Sequence, residues 1–486
     1  MNPVHRIDFR SQQALYSVDA TRRIEHLASA ALPAHTLMQR AGLAVAQLGM
    51  AIAPHCRQIW IACGPGNNGG DGLEAAIHLT QLGKSVIVTC LGALDSAPAD
   101  AAASYRRALA AGVHFSETPP VEFDLCIDAL LGVGASRAPE GLMANWIDVI
   151  NASSAIVLAV DTPTGLQADT GAVEGHVVNA YHTLSLLTLK PGLFTAHGRD
   201  SAGTVWLDDL GVPDGTAKNP HAIAPVAWLA SAPANAPRLH SSHKGTYGDV
   251  VIVGGASGMA GAARLAASAA LHCGAGRVLV GMLDQNPVFF DPCQPELMFR
   301  PIESLDFRSL TVVAGCGGGE AIREPLARML ASSARLVVDA DAINVIARDT
   351  QLQTALRMRA NRDLPTVLTP HPLEAGRLLD CTAQQVQCNR LKAAEQLSQR
   401  FSCTVVLKGS GTIISAPHQT SVINPTGNPR LATAGTGDVL AGMIGAALGV
   451  ETCWEAVCGA VYKHGLLADH WPLSTPLTAS SLYRLQ

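Results

Sequence analysis

The stretch Gly64-Pro65-Gly66-Asn67-Asn68-Gly69-Gly70-Asp71-Gly72 constrains this chain more than any other. It follows the apolar run Ile59-Trp60-Ile61-Ala62-Cys63 and precedes apolar residues at helical spacing from Leu73, so it joins a strand to a helix. Five glycines in nine positions permit positive φ and let the backbone approach a ligand closely. The helix start beyond them presents free N–H groups, which suits phosphate. Gly64, Gly66 and Gly69 satisfy G-x-G-x-x-G, a weak signal by itself. Asn67, Asn68 and Asp71 add polar groups that a plain pyrophosphate loop does not need.

A chain of 486 residues, 48% apolar and 15% charged, is long enough for two or three well-packed domains. A net charge of -5, the absence of a Lys/Arg run and the low aromatic content give no reason to expect nucleic-acid binding. Twelve cysteines without C-x-x-C pairs suggest neither a zinc ribbon nor a disulfide framework. They read as small buried hydrophobes in a reducing compartment. No apolar signal segment opens the chain, and the weakly charged stretch Leu431 to Val450 contains Asp438 and glycines. It fits a buried helix better than a membrane span. A cytoplasmic location without membrane contact is the expectation.

Residues from about 10 to 53 read as helical, with Ala41-Gly42 allowing close packing. Strand and helix patterns then alternate: strand 58–63, helix 73–82, strand 84–91, helix 98–111, strand 123–128, a helix near 141–151 and strand 155–160. The texture changes around 213–237, rich in Pro and Ala, which reads as a linker. A second series follows, with strands at 249–253, 277–282, 310–315, 335–339, 365–369 and 403–408 and a helix at 260–273. Short apolar strands separated by helices imply parallel sheets covered on both faces, with ligands at the strand C-termini. Two α/β domains are expected, residues 1–215 and 237–486.

In the first half, three loops at strand ends carry convergent polar residues. They are the glycine loop, Asp128-Ala129-Leu130-Leu131-Gly132-Val133-Gly134, and Asp161-Thr162-Pro163-Thr164-Gly165; Lys190 ends a fourth apolar run. Asn, Asp and Thr oxygens suit a hard cation, and an acid with a lysine beside a phosphate loop suits proton transfer. The plain alternative makes Asp128 and Asp161 helix caps or turn residues. These residues resemble the NAD(P)H-hydrate epimerase family, over essentially the whole first half. The resemblance implies a Rossmann-like three-layer α/β/α domain interconverting R and S hydrates of NADH and NADPH. It assigns Asn67, Asn68, Gly69, Gly70 and Asp71 to the damaged cofactor, together with Gly132, Val133, Gly134, Ala135, Ser136, Arg137, Ala138 and Asp161. Asn68, Asp128 and Thr164 would ligate a potassium ion; Asp161 and Lys190 would do the acid–base work. Thr164 stands where the family usually has Ser, and Gln39 where it usually has Glu.

In the second half, Thr433-Ala434-Gly435-Thr436-Gly437-Asp438 opens an apolar helix. Glycines before a helix form a backbone anion hole. Asp438 inside it suits a base taking the proton from a hydroxyl that attacks a phosphoryl group; the plain alternative is a first-turn Asp favoured by the helix dipole. Three further strand ends carry Lys408-Gly409-Ser410-Gly411-Thr412, Thr369-Pro370-His371-Pro372-Leu373-Glu374 and Asp339-Ala340-Asp341. Together with His243-Lys244-Gly245 and Gly254 to Ala262 they resemble the ADP-dependent NAD(P)H-hydrate dehydratases, whose fold is ribokinase-like α/β. By that resemblance Ala262, Gly317, His371 and Asp438 contact the hydrate, and Lys408, Gly409, Ser410, Gly411, Thr412 and Gly437 bind the nucleotide. Magnesium and ADP are implied, as is a homo-oligomer. In Gly315-Cys316-Gly317-Gly318-Gly319, Cys316 replaces the usual proline and Gly318 an apolar residue, which predicts a looser loop.

Two other functions fit parts of this pattern. One is a small-molecule kinase for a hydroxymethylpyrimidine, thiazole or sugar with an accessory nucleotide-binding domain. The other is a nucleotide-binding module without catalysis, which Asp438 in the anion hole disfavours.

Overall fold

The computed structural model describes residues 4–92, 97–134, 137–212, 223–234 and 238–485. The chain divides into two compact units, one of residues 1–8 and 13–227, the other of 9–12 and 228–486. No helix among the described residues is long and apolar enough to cross a membrane.

The sheet of the first unit has eight strands, in the order His5–Arg6, Thr204–Asp208, His182–Leu186, Ile156–Val160, Leu125–Ala129, Gln58–Cys63, Ser85–Cys90, His114–Phe115. All neighbours are parallel except the first pair, where His5 lies opposite Leu207. Ile59 to Cys63 are fully buried, as a strand covered by helices on both faces requires. Trp60 fills one side, its indole N–H donating to Thr89 Oγ1 at 2.9 Å and its ring edge-on to Phe123 and Trp146. The strands Ser85–Cys90, Leu125–Ala129 and Ile156–Val160 fall where the alternation places them. The region 10–53 is not one helix: Val18–Ala30 and Thr36–Ile52 are separated by His35 in the left-handed region, φ 68°.

The helix after the first strand begins at Asn67 and runs to Gln81, six residues earlier than its apolar spacing suggests. Gly69, Gly70 and Gly72 are therefore helical, and none of the loop's glycines has positive φ. Close approach, not conformational freedom, accounts for them. A Cβ on Gly69 would stand 2.1 Å from Gly64 O, one on Gly64 1.7 Å from Leu130 O, and one on Gly72 2.6 Å from Ala129 Cβ. Gly42 of Thr36–Ile52 lets that helix lie against Glu74 in the same way, at 2.2 Å.

In the second unit the sheet runs Met298–Phe299, Arg277–Met282, Asp249–Gly254, Thr311–Ala314, Arg335–Val338, Thr366–Leu368, Thr404–Leu407, all parallel. Ile413–Ser415 and Ser421–Ile423 continue it as antiparallel strands. The alanine-rich helix Ala260–His272 packs on Thr436–Ala447 so closely that a Cβ on Gly442 would stand 2.0 Å from Ala266 O. That contact sets the start of the second helix, and with it Asp438, above the strand ends. Of the stretch read as a linker, 213–222 and 235–237 lie outside the described residues, and Ala227–Leu229 within it is a strand.

Gly69→Ala tests the close-packing account. Alanine in place of glycine inside a helix ordinarily stabilises by about 1 kcal/mol. Here the backbone clash reverses the sign, and urea unfolding should show a loss of about 1–3 kcal/mol.

Candidate active sites

The sheet's C-terminal edge in the first unit faces a cavity of about 400 Å³. Asn67, Asn68, Asp71, Gly132, Val133, Gly134 and Asp161 all line it. Gly69 and Gly70 do not: they are packed within the helix, Gly70 against Met38. Arg137 and Ala138 also lie off the lining, and Ala135 and Ser136 fall outside the described residues. Thr21, Arg22 and Glu25 of Val18–Ala30 form a wall that no motif announces.

Asp161 sits just past its strand with φ 67°, a conformation Asp tolerates but which costs free energy. One carboxylate oxygen accepts from Leu186 N at 3.2 Å and from the fully buried Lys190 ammonium. Lys190 also donates to Leu186 O at 2.8 Å, so it stands behind Asp161 and outside the cavity lining. Asp71 faces the same space; burial and then the charge of Asp161 push its carboxyl well above the usual range. Glu25 is raised for the same two reasons.

Asp128 is fully buried beneath this edge. It accepts from Thr164 Oγ1 at 2.6 Å, Thr164 N at 2.8 Å and Leu130 N at 3.3 Å. Burial still lifts its carboxyl to about 6, and among the described residues no cationic side chain pairs with it. Asn68 adds a buried amide whose Nδ2 has no hydrogen-bond partner, with Gly132 close against Oδ1. An amide, a carboxylate and a hydroxyl offer oxygen donors with one formal charge, a set that fits a monovalent hard cation. The extra methyl of Thr164 is accommodated in the buried contact.

The second unit gathers its polar residues around Lys408. Lys408 Nζ donates to Asp339 Oδ1 at 2.7 Å, which also accepts from Thr369 Oγ1 at 2.7 Å. Burial works against the Lys408 charge, but Asp339 and Glu374 hold its ammonium above the usual value. Gly437 lies beside it: a Cβ there would be 3.5 Å from Nζ. Asp438, in the first turn of Thr436–Ala447, is lifted to about 7, mainly by burial and then by Asp339. His371 caps Pro372–Leu379, accepting from Leu373 N and Glu374 N while Glu374 Oε2 accepts from His371 N at 2.8 Å. Burial raises Glu374 to about 7 and, with Lys408, lowers His371.

The loop Gly315–Gly319 is tied down, contrary to the expectation of looseness. Cys316 O accepts from Gly255 N at 3.0 Å, Gly317 O from Ala256 N at 2.8 Å, and Asp341 Oδ2 from Gly319 N at 2.8 Å. Glycine is required there, with φ 114° at Gly315 and 58° at Gly317, and a Cβ on Gly317 would meet that of Ala262 at 2.8 Å. Gly409 and Gly411 also have positive φ, and the Lys408–Thr412 turn is held from beneath by buried Arg390, which donates to Lys408 O at 3.2 Å. Asp339 and Glu374 stand in the sequence beside flagged residues, yet their part emerges only from the packing. Cys316, Asp339 and Asp438 do not suit magnesium, which takes oxygen ligands, because a thiol intrudes and Lys408 already holds Asp339.

The raised proton affinity of Asp438 has a thermodynamic consequence. The folded chain keeps a proton that the unfolded chain has released between about pH 4 and 7, so ionising Asp438 costs stability as pH rises through that window. Asp438→Asn should match the parent near pH 4 and exceed it in thermal stability near pH 8. An equal difference at both ends would remove this linkage.

Comparison with known proteins follows the same division. Residues 34–192 match the family described as YjeF-related protein N-terminus, and residues 250–484 match NAD(P)H-hydrate dehydratase. The bifunctional NAD(P)H-hydrate repair enzyme Nnr of Escherichia coli (strain K12) is 37% identical over 455 residues, 90% of this chain and 85% of that protein. The enzyme of the same name from Coxiella burnetii is 32% identical over 94% of each chain. Among solved structures, the ADP/ATP-dependent NAD(P)H-hydrate dehydratase of Bacillus subtilis co-crystallized with ATP/Mg2+ is 27% identical, covering 51% of this chain and 91% of its own, with a TM-score of 0.43. With a family model matched in each half and identity sustained over nine-tenths of its length, the chain belongs to the bifunctional NAD(P)H-hydrate repair enzymes.

Proposed function

We propose that the first unit interconverts the R and S hydrates of NADH and NADPH, and that the second dehydrates the S epimer at the expense of ADP or a related adenine nucleotide. The observation that carries this reading is the position of Asp438: a carboxylate of raised proton affinity in a glycine-bounded helix start beside Lys408.

The hydrated carbon is a hemiaminal, bearing the ring nitrogen and a hydroxyl. Loss of the hydroxyl and re-addition from the other face inverts it, which needs a donor and an acceptor in one cavity. Asp71, whose proton affinity is raised by burial and its acidic neighbours, is the donor; Asp161, held from behind by Lys190, is the acceptor. Asn67, Asn68 and the turn Gly132–Gly134 would orient the ligand. Asn68, Asp128 and Thr164 would hold a potassium ion, which when bound supplies a positive charge beside the buried Asp128. Lys190 is in this reading a positioning residue.

Hydroxide is a poor leaving group, and the second unit removes it by way of phosphate. Asp438 takes the hydroxyl proton as the oxygen attacks the terminal phosphoryl group, forming the O–P bond and releasing AMP from ADP. The ring nitrogen's lone pair then expels phosphate, and loss of the neighbouring C–H proton restores the dihydropyridine. Lys408 and the backbone N–H groups of Gly409 to Thr412 would steady the nucleotide phosphates, and magnesium would arrive with them. Gly317, Ala262 and His371 would bound the hydrate.

Absorbance at the dihydronicotinamide band, followed with a mixed R and S hydrate, nucleotide and magnesium, tests both halves. The parent should restore the whole band. Asp438→Ala should restore none of it, while Asp161→Ala should restore the S fraction at the parent rate and the R fraction only at the spontaneous rate. Parent-like consumption of R by Asp161→Ala would take the role from Asp161. Replacing potassium by lithium should weaken hydrate binding to the first unit without altering dehydration of pure S hydrate. Indifference of that affinity to the ion would remove potassium from the account.

A further inference from the structure

Asp100 lines the first cavity and belongs to none of the loops that carry its chemistry. It stands in the first turn of Ala99–Ala110, the crossover helix between Ser85–Cys90 and the edge strand His114–Phe115. Its carboxylate is half exposed, yet a buried assembly holds it. His35 Nδ1 lies 3.2 Å from Asp100 Oδ1, and His35 Nε2 lies 2.9 Å from Glu74 Oε1. Glu74 is fully buried and accepts from Arg107 Nε at 2.9 Å and Nη2 at 3.2 Å. His35 takes this position with φ 68°, which costs free energy in a residue with a Cβ, and its side chain caps no helix N–H. The strained residue thus braces a carboxylate at the cavity wall, and Oδ2 of Asp100 has no partner among the described residues.

The sheet places Asp100 where a dinucleotide bound at Asp161 brings its far end. Asp161 follows Ile156–Val160, three strands from Ser85–Cys90, which is roughly 14 Å at about 4.8 Å per strand. Between them lies the start of Asn67–Gln81, where Gly66, Asn67 and Asn68 line the cavity. Its free N–H groups suit a diphosphate, and the buried Nδ2 of Asn68 lacks a partner there. A Cβ on Gly70 of that helix would be 3.0 Å from Ala101 Cα, so Asp100 stands beside the helix start. With the hydrated ring at Asp161 and the diphosphate over the helix start, the adenosine ribose comes to Asp100. No cation is at hand for a phosphate on that ribose. Arg22 is the one cationic side chain among the described lining residues, and its Nη2 would be 3.6 Å from a Cβ on Gly134, in the turn after Leu125–Ala129 and toward Asp161. Arg107 is taken up by Glu74.

We propose that Asp100, positioned by His35, accepts a hydrogen bond from the 2′-hydroxyl of the adenosine ribose, and so makes the first unit prefer the NADH hydrate to the NADPH hydrate. This rests on the reading of the first unit as the epimerase with Asp161 at the reacting carbon. A carboxylate accepts from a hydroxyl and repels the 2′-phosphate that replaces it in the NADPH hydrate, so the discrimination combines an attraction with a repulsion. His35 does not touch the ligand in this scheme; it acts through Asp100.

The test is kcat/KM for R-to-S conversion of each hydrate by the full-length protein without added nucleotide, so that the second unit does not consume the product. The parent should favour the NADH hydrate by roughly tenfold, the order expected for one hydrogen bond to a charged group. Asp100→Asn keeps the shape and removes the charge. It should raise kcat/KM for the NADPH hydrate and lower it for the NADH hydrate, with the change falling on KM, so that the preference is lost. His35→Gln should narrow the preference in the same direction. A parent that treats the two hydrates alike, or an asparagine variant that keeps the parent's preference, would overturn the proposal. Equal losses on both hydrates in His35→Gln would reduce His35 to packing and overturn its part. Asp161→Asn distinguishes the deeper failure: parent-like conversion of R by that variant would take the reacting carbon away from Asp161, and the placement of the ribose at Asp100 with it.

Discussion

A carboxylate taken out of water must be held by donors or a cation, or else keep its proton, and both units are organised around that constraint. Asp161 and Asp339 are held, by Lys190 and by Lys408 with Thr369, whereas Asp128 has only Thr164 and backbone N–H donors and burial still lifts it to about 6. Asp71, Asp438 and Glu374 are held less fully and their proton affinity rises. The two kinds stand side by side: Asp161 with Asp71 on the first cavity, and Asp339 with Asp438 in the second unit. In the second unit this follows from the sheet order, since parallel strands deliver Asp339 and Lys408 to the same edge and the helix from Thr436 brings Asp438 over them.

That placement requires backbones closer than side chains permit. The first loop, the Gly315 turn and the Gly442–Ala266 helix contact are all spaced so that a single Cβ would strike a main-chain oxygen at about 2 Å. Glycine therefore does two different jobs in two similar-looking motifs. In Gly64–Gly72 every φ is negative and the residues serve packing; in Gly315–Gly319 the conformations at 315, 317 and 319 are left-handed and serve the turn.

The fold was largely legible because each parallel strand is a short apolar run bounded by polar residues, and such runs signal themselves. His182–Leu186 and Thr204–Asp208 did not, since polar residues interrupt them, nor did Ile413–Ser415 and Ser421–Ile423, which are only three residues each. The start of the glycine-loop helix was misplaced for a related reason: glycines read as breakers unless the neighbours that require them are known. Asn67, Asn68, Asp71, Gly132, Val133, Gly134 and Asp161 of the first cavity's lining were legible from the motifs. Arg22 and Glu25 were not, because a helix of mixed polarity with no motif looks like any solvated surface until the cavity it walls is seen. Lys190 was recognised, but its full burial behind Asp161 is a property of packing, and it is the observation on which the proposed supporting part rests.

In the proposed reading the two bases, Asp161 and Asp438, differ as the two reactions do. Epimerisation leaves the oxidation level and composition of the substrate unchanged, so its acceptor must release the proton it takes within the same cavity. An ammonium fixed behind Asp161 and a carboxyl of raised proton affinity at Asp71 suit that return. Dehydration is driven in one direction by a phosphoryl transfer, and its base has only to accept. Asp438, raised to about 7, accepts a proton readily once ionised. The same physical quantity, the cost of burying a carboxylate, is thus opposed by a full cation at Asp161 and left largely standing at Asp438, while the direction of dehydration comes from the phosphoryl transfer coupled to it.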